Sequence, residues 1–218
     1  MINRAFNVPL EKNPLIKMKV IPGHFTTSSS HVSHFLDFNE MRSNALIARD
    51  VAEELAVPFL SGTLIETIVC MERTEVVGAY LAEELLEQGI LPLENSGEIH
   101  VLTPIHIANG NLIFQGSTIE WVSGKAILLL IASISSGMTV KRALDCISFY
   151  GGKTVAISSL FRALGNDLGE KQEINVNALF TSDYIPGYKI WNTSECELCK
   201  KGIKLDAIVS SEGYTELA

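Results

Sequence analysis

Three groups of residues in this 218-residue chain have types and spacings suited to chemistry. The first is Ser135-Ser136-Gly137-Met138-Thr139, a run of small hydroxyl residues around a glycine. It follows the unbroken apolar stretch 126–131 and precedes Val140, Ala143, Leu144 and Ile147 at helical spacing. A strand, a small-residue turn and a helix converge backbone N–H groups and the positive end of a helix dipole on one point, the arrangement that holds a phosphate. The second is Arg73, in the turn Met71-Glu72-Arg73-Thr74 between a strand and a helix. Its planar guanidinium suits bidentate contacts with a diphosphate, although pairing with Glu72 or Glu75 on the surface is an equal alternative. The third is Cys196-x-x-Cys199, half of a zinc site or a redox pair. No second Cys pair or neighbouring His in the sequence completes a tetrahedral set, so no metal ligands are assigned. His100 and His106 read as strand-surface histidines.

The elements that must position these groups alternate along the chain. Residues 3–20 carry a weak helical period broken by Pro9 and Pro14 and read as an N-terminal cap segment. Residues 23–37 begin as a Ser-rich turn and end in alternation, which suggests a bent pair of short strands. Residues 38–56 read as one amphipathic helix, with Met41, Ala45, Ala48, Val51, Ala52 and Leu55 inward and Arg42, Arg49, Glu53 and Glu54 outward. A core strand over 64–70 and a helix over 74–88, closed by Gly89, follow. Asn109-Gly110-Asn111 is a hairpin signal between 99–107 and 112–114. The strand 126–131 and the helix 140–149, closed by Gly151-Gly152, precede strands at 153–158 and 175–183. This order predicts an α/β fold with a mostly parallel sheet, whose ligands lie at the carboxyl ends of strands. No internal repeat is evident.

Residues 131–139 resemble the phosphoribosyl-pyrophosphate (PRPP) motif of the type I phosphoribosyltransferases, in which a hydrophobic strand ends in two acids, two apolar residues and a Thr-Thr-Gly-x-Thr-like loop. Ser135 to Thr139 match the loop, whereas the two acid positions fall on Ile131 and Ala132. The stretch Gly23 to Asp37 is similar to the hood segment of orotate phosphoribosyltransferases, and a Cys-x-x-Cys-Lys tail is common among related transferases. The resemblance spans roughly residues 25–202. It implies a single phosphoribosyltransferase-like domain over 1–218, a central sheet flanked by helices, and a small hood from about 1–37 and 184–218.

The resemblance further implies binding of PRPP or a nucleotide 5′-phosphate by Ser135, Ser136, Gly137, Met138 and Thr139, with Ile131 and Ala132 at the ribose positions. Arg73 falls at the pyrophosphate turn, Mg²⁺ accompanies the diphosphate, and a homodimer is the implied assembly. The reaction would be orotate-type transfer of phosphoribose to a nucleobase. The alternative is a non-catalytic PRPP or nucleotide sensor, because the acid pair is replaced and no lysine occurs over 91–124, where the orotate enzymes carry a lysine-bearing loop. No catalytic residue is therefore assigned.

Composition narrows the classes. With 17 basic and 25 acidic residues, a net charge of −8 argues against an electrostatic nucleic-acid binder. A 47% hydrophobic content supplies a sizeable core. No apolar run has signal-peptide or membrane-spanning length, and four cysteines in such a chain make no disulfide framework, so a cytoplasmic location is expected.

Overall fold

The computed structural model describes residues 2–89, 97–107, 110–164, 174–210 and 213–217. In chain order its strands and α-helices are β1 (Phe6–Pro9), β2 (Lys17–Thr26), β3 (Ser30–Asp37), α1 (Asn39–Ser43), α2 (Ala45–Ala56), β4 (Thr67–Cys70), α3 (Glu75–Gln88), β5 (His100–Leu102), β6 (Ile105–His106), β7 (Leu112–Ile113), β8 (Ala126–Ile134), α4 (Met138–Phe149), β9 (Lys153–Arg162), β10 (Asn175–Thr181), β11 (Ile190–Asn192), α5 (Glu197–Lys200), β12 (Ala207–Ser210) and β13 (Gly213–Glu216).

One sheet has the order β10-β9-β8-β4-β5, with every neighbouring pair parallel. β8 lies at its centre, which explains the unbroken apolar run: a strand covered on both faces has no polar side. Leu128, Leu130 and Ala132 pack with α2 and α3, while Ile127, Leu129 and Ile131 pack with Val140, Ala143 and Ile147 of α4. α3 lies so close to β4 that a Cβ at Gly78 would collide with Cys70 Sγ.

The second sheet has the order β11-β3-β2-β12-β13, with β1 added to β2. It is antiparallel except where β12 runs parallel to β2. Both ends of the chain therefore meet in one sheet. Residues 3–20, read above as an N-terminal cap segment with a weak helical period, instead supply β1 and the start of β2. Met18 and Val20 are buried and Lys17 and Lys19 are not fully so; the two-residue period of a strand governs where the prolines disallowed a helix.

The single helix anticipated over 38–56 is two. Asn44 adopts an extended backbone, φ −84° and ψ 112°, and its side chain accepts from the Leu46 N–H, so it ends α1 and caps α2. The hairpin is present as antiparallel β6 and β7, with Gly110 at φ +73°; Asn109 lies outside the described residues. None of the described helices is long and apolar enough to cross a membrane.

Candidate functional site

The small-residue loop stands where β8 ends and α4 begins. Gly137 has φ +76° and is the N-cap of α4, a left-handed conformation that a side chain would strain. α4 starts at Met138, two residues before the periodicity suggested, so the first-turn N–H groups rise directly from the loop. Residues 133–140 and Glu72 wrap a recess of about 40 Å³. At ~10–15 Å³ per water, that is room for a group the size of a phosphate. The loop also borders a larger cavity of about 740 Å³ between the carboxyl end of the parallel sheet and the second sheet. Ser135, Ser136, Met138 and Thr139 all line it.

Facing the loop is the turn after β4. Glu72 and Arg73 have φ +57° and +63°, two consecutive left-handed residues without glycine. Such backbone costs on the order of 1–3 kcal/mol per residue and persists only where the surroundings fix it. Hydrogen bonds from three residues do so here. Met71 N–H donates to the Leu130 carbonyl at 2.8 Å. The Thr74 hydroxyl donates to the Met71 carbonyl at 2.9 Å. The Arg42 guanidinium donates to the Glu72 carbonyl at 2.8 Å and to Asn39 Oδ1 at 2.9 Å. Arg42, assigned above to the outer face of a long helix, is buried (8% exposed). The break at Asn44 detaches α1 from the helical phase that placed Arg42 in solvent.

The turn aims the Glu72 carboxylate at the end of β8. Its Oε2 accepts from Ser133 N–H at 3.0 Å and faces Ser133 Oγ at 3.4 Å. Burial pushes the Glu72 carboxyl above the ordinary carboxylate range, against the Ser133 donors and the Arg42 charge, which pull it down. Ile131 and Ala132 are buried in opposite cores, so neither offers a polar group to the cavity. Arg73 borders the cavity, together with Arg42 and Arg142 of α4.

The opposite wall belongs to the second sheet and the tail. Ser29 Oγ lies 3.3 Å from Ser136 Oγ across the cleft. The His34 ring stacks on Tyr188, centroids 6.0 Å apart, and Tyr188 meets Phe161 edge-on at 5.3 Å. These rings and Phe35 form an aromatic wall of the cavity. Burial lowers the His34 pKa, favouring a neutral ring.

The cysteine tail differs most from its reading in sequence. His24 of β2 and His31 of β3 lie against Cys196 and Cys199, and the four ligand atoms all fall within 4.8 Å of one another. The histidines absent from the tail's neighbourhood in sequence are brought to it by the β2–β3 hairpin. His100, by contrast, stacks on Trp121 (centroids 4.5 Å apart), and exposed Ile105 and His106 form the short β6 edge of the hairpin.

No family model and no curated protein sequence matches the chain. Among solved structures, a phosphoribosyltransferase from Corynebacterium diphtheriae matches with TM-score 0.53 and 13% identity, over 74% of this chain and 90% of that one. An adenine phosphoribosyltransferase from Thermoanaerobacter pseudethanolicus gives 0.49 and 16%, over 82% and 96%. A Mycobacterium tuberculosis orotate phosphoribosyltransferase in complex with PRPP gives 0.49 and 10%, over 68% and 81%. The first of these likenesses shows that the chain has the fold of that phosphoribosyltransferase, the α/β architecture with a mostly parallel sheet anticipated from the order of elements.

Proposed function

We propose that this chain uses the phosphoribosyltransferase fold to bind a 5′-phosphoribosyl ligand, PRPP or a nucleoside monophosphate, with its phosphate on residues 135–139. The observation that carries the reading is the recess wrapped by residues 133–140 at the central strand's carboxyl end, opening into the larger cavity. The loop N–H groups and the α4 dipole meet the 5′-phosphate. The ribose extends past Ala132 toward Glu72, whose carboxylate, fixed by Ser133, stands in for the acids missing at Ile131 and Ala132. Arg73 and Arg142 flank a diphosphate, and the wall of His34, Phe35, Phe161 and Tyr188 suits a flat nucleobase.

On this geometry the reaction is phosphoribosyl transfer: the ribose C1–O bond to pyrophosphate breaks, a C1–N bond to the base forms, the base N–H proton passes to solvent, and pyrophosphate leaves. The orotate-type base is the finer part of this reading. Mg²⁺, the cation that accompanies a diphosphate, finds no carboxylate pair at positions 131 and 132, and no step depends on it.

One observation favours a second reading, a sensor that binds without turnover. Glu72 is a single carboxylate already engaged by Ser133, where transfer chemistry uses two acids on the ribose hydroxyls. Removing one charge-assisted hydrogen bond weakens binding by about 1.5–3 kcal/mol, and more in a transition state.

The test is a melting-temperature panel with PRPP, orotidine, adenosine and guanosine monophosphates, run beside an assay of base-dependent pyrophosphate release. Stabilisation with release supports transfer, and stabilisation without release supports the sensor. Absence of any shift at millimolar ligand overturns both.

A further inference from the structure

His24, His31, Cys196 and Cys199 stand apart from the phosphate loop, on the second sheet and the tail behind it. We propose that they form a closed structural zinc site that staples the tail to the β2–β3 hairpin. A tetrahedral Zn²⁺ with nitrogen ligands at ~2.0–2.1 Å and sulfur ligands at ~2.3 Å sets its ligand atoms roughly 3.3 Å apart for two nitrogens and roughly 3.8 Å apart for two sulfurs. The observed edges follow this pattern. His24 Nε2 and His31 Nδ1 are 3.1 Å apart. Cys196 Sγ lies 3.3 Å from His24 Nε2. Cys199 Sγ lies 3.7 Å from His24 Nε2 and 3.3 Å from His31 Nδ1.

The surroundings orient the ligands. His24 Nδ1 lies 2.9 Å from the Ile203 carbonyl, so the proton sits on Nδ1 and the Nε2 lone pair points into the cluster. A ring N–H donated to a backbone carbonyl is the usual companion of a metal-bound histidine. The chain turns back immediately after the cysteines. Lys200 N–H donates to the Cys196 carbonyl, Gly202 N–H to the Cys199 carbonyl, and Gly202 takes φ +70° to close the loop. This loop returns Asp206 to His24, where Asp206 N–H donates to the His24 carbonyl at 2.7 Å and the His24 N–H donates to Asp206 Oδ2 at 2.8 Å.

The donor set selects the metal. Two thiolates and two imidazoles in a tetrahedron suit Zn²⁺ over Mg²⁺ or Ca²⁺, which take oxygen. Four protein ligands leave no open position, which separates this centre from a catalytic one. Three of the ligands are buried and only Cys199 is exposed. The ion would join residues more than 160 positions apart, securing the strands from both termini that wall the large cavity.

The test uses the full chain purified without chelator. Elemental analysis should find one zinc per chain. Replacement by Co²⁺ should give the intense visible d–d bands of a tetrahedral site and a thiolate-to-cobalt charge-transfer band near the ultraviolet. Cys199→Ser, at the exposed ligand, should lower zinc affinity at least tenfold and weaken the charge-transfer band, while Cys146→Ser, at a thiol far from the cluster, should leave both unchanged. Sub-stoichiometric zinc after growth in zinc-supplemented medium, an octahedral cobalt spectrum, or a Cys196–Cys199 disulfide in the freshly purified chain would each overturn the proposal. Cobalt spectra of the unaltered chain keep the test decisive if a variant fails to fold. The readouts do not involve phosphoribosyl ligands, so this proposal and the ligand-binding reading fail separately.

Discussion

The loop proposed to hold phosphate and the His–Cys cluster proposed to hold zinc are built in opposite ways. The loop is continuous: residues 135–139 run from the end of one strand into the first turn of one helix, and in the proposed function its donors are mainly backbone N–H groups. The cluster is assembled from two strands near the amino end and a turn near the carboxyl end, and its donors are side chains. The difference assigns them separate work. A backbone cradle depends on local turn geometry and tolerates many side chains, whereas a side-chain cluster depends on the docking of distant segments and on the identity of every ligand.

Breaking the cluster should give the largest effect on stability. Stripping zinc with a strong chelator, or Cys196→Ser at the buried ligand, removes a cross-link between the two ends of the chain. A decrease of several kcal/mol is expected, which at about 2–4 °C per kcal/mol lowers the melting temperature by roughly 10 °C or more in calorimetry. Restoring zinc should reverse the chelator effect and not the serine effect.

Breaking the parallel sheet's packing without touching either site comes next. Gly78→Ala sets a methyl against Cys70 Sγ and the Val101 side chain, and overpacking of this kind costs about 1–3 kcal/mol. Denaturant unfolding should show that decrease with zinc content unchanged.

Glu72→Gln changes the carboxylate that faces the loop. As a ribose acceptor, Glu72 contributes one charge-assisted hydrogen bond, so PRPP affinity by calorimetry should fall about tenfold to a hundredfold. If the carboxylate merely repelled the phosphate, affinity would rise. The same variant has a pH signature. The folded carboxyl holds its proton more tightly than the unfolded one, so ionisation of the native state costs stability as pH rises above the ordinary carboxylate range. The neutral glutamine lacks that cost. Its stability relative to wild type should be most favourable near neutral pH and decline as pH falls toward the unfolded carboxylate value.

The smallest effect belongs to the edge of the cluster. Arg4→Ala removes a largely exposed ion pair with Asp206 at 2.6 Å, worth about 0–1 kcal/mol, and zinc content should not change.

How legible each region was in the sequence follows from the same contrast. The parallel sheet was readable because β8 is apolar on both faces and its loop is contiguous, so 126–139 carries strand, turn and helix start in one line. The second sheet was less so. The two-residue alternation of 17–20 is short and is obscured by Pro14 and Pro22, and pairing of β2 with β12 joins residues far apart in sequence. Arg42 and Asn44 were hidden for a different reason: a helical period carried through 38–56 conceals an Asn cap, and with it the guanidinium that secures the Glu72 turn. An Asn followed by an apolar helical run was the available signal. For His24 and His31 there was none, since their spacing of seven has meaning only once a hairpin folds them toward Cys196.

Residues 135–139 are proposed to hold the phosphate of a phosphoribosyl ligand, and titration calorimetry of PRPP into the wild-type chain and Ser136→Glu measures this most directly. Ser136 is exposed and packs in no core, so the substitution places a carboxylate in the cradle at the cost of its contact with Ser29 Oγ. Saturable one-site binding to wild type, weakened at least tenfold in the variant at unchanged melting temperature and zinc content, is the expected result. Equal binding by both chains, or none by wild type at millimolar PRPP, contradicts it.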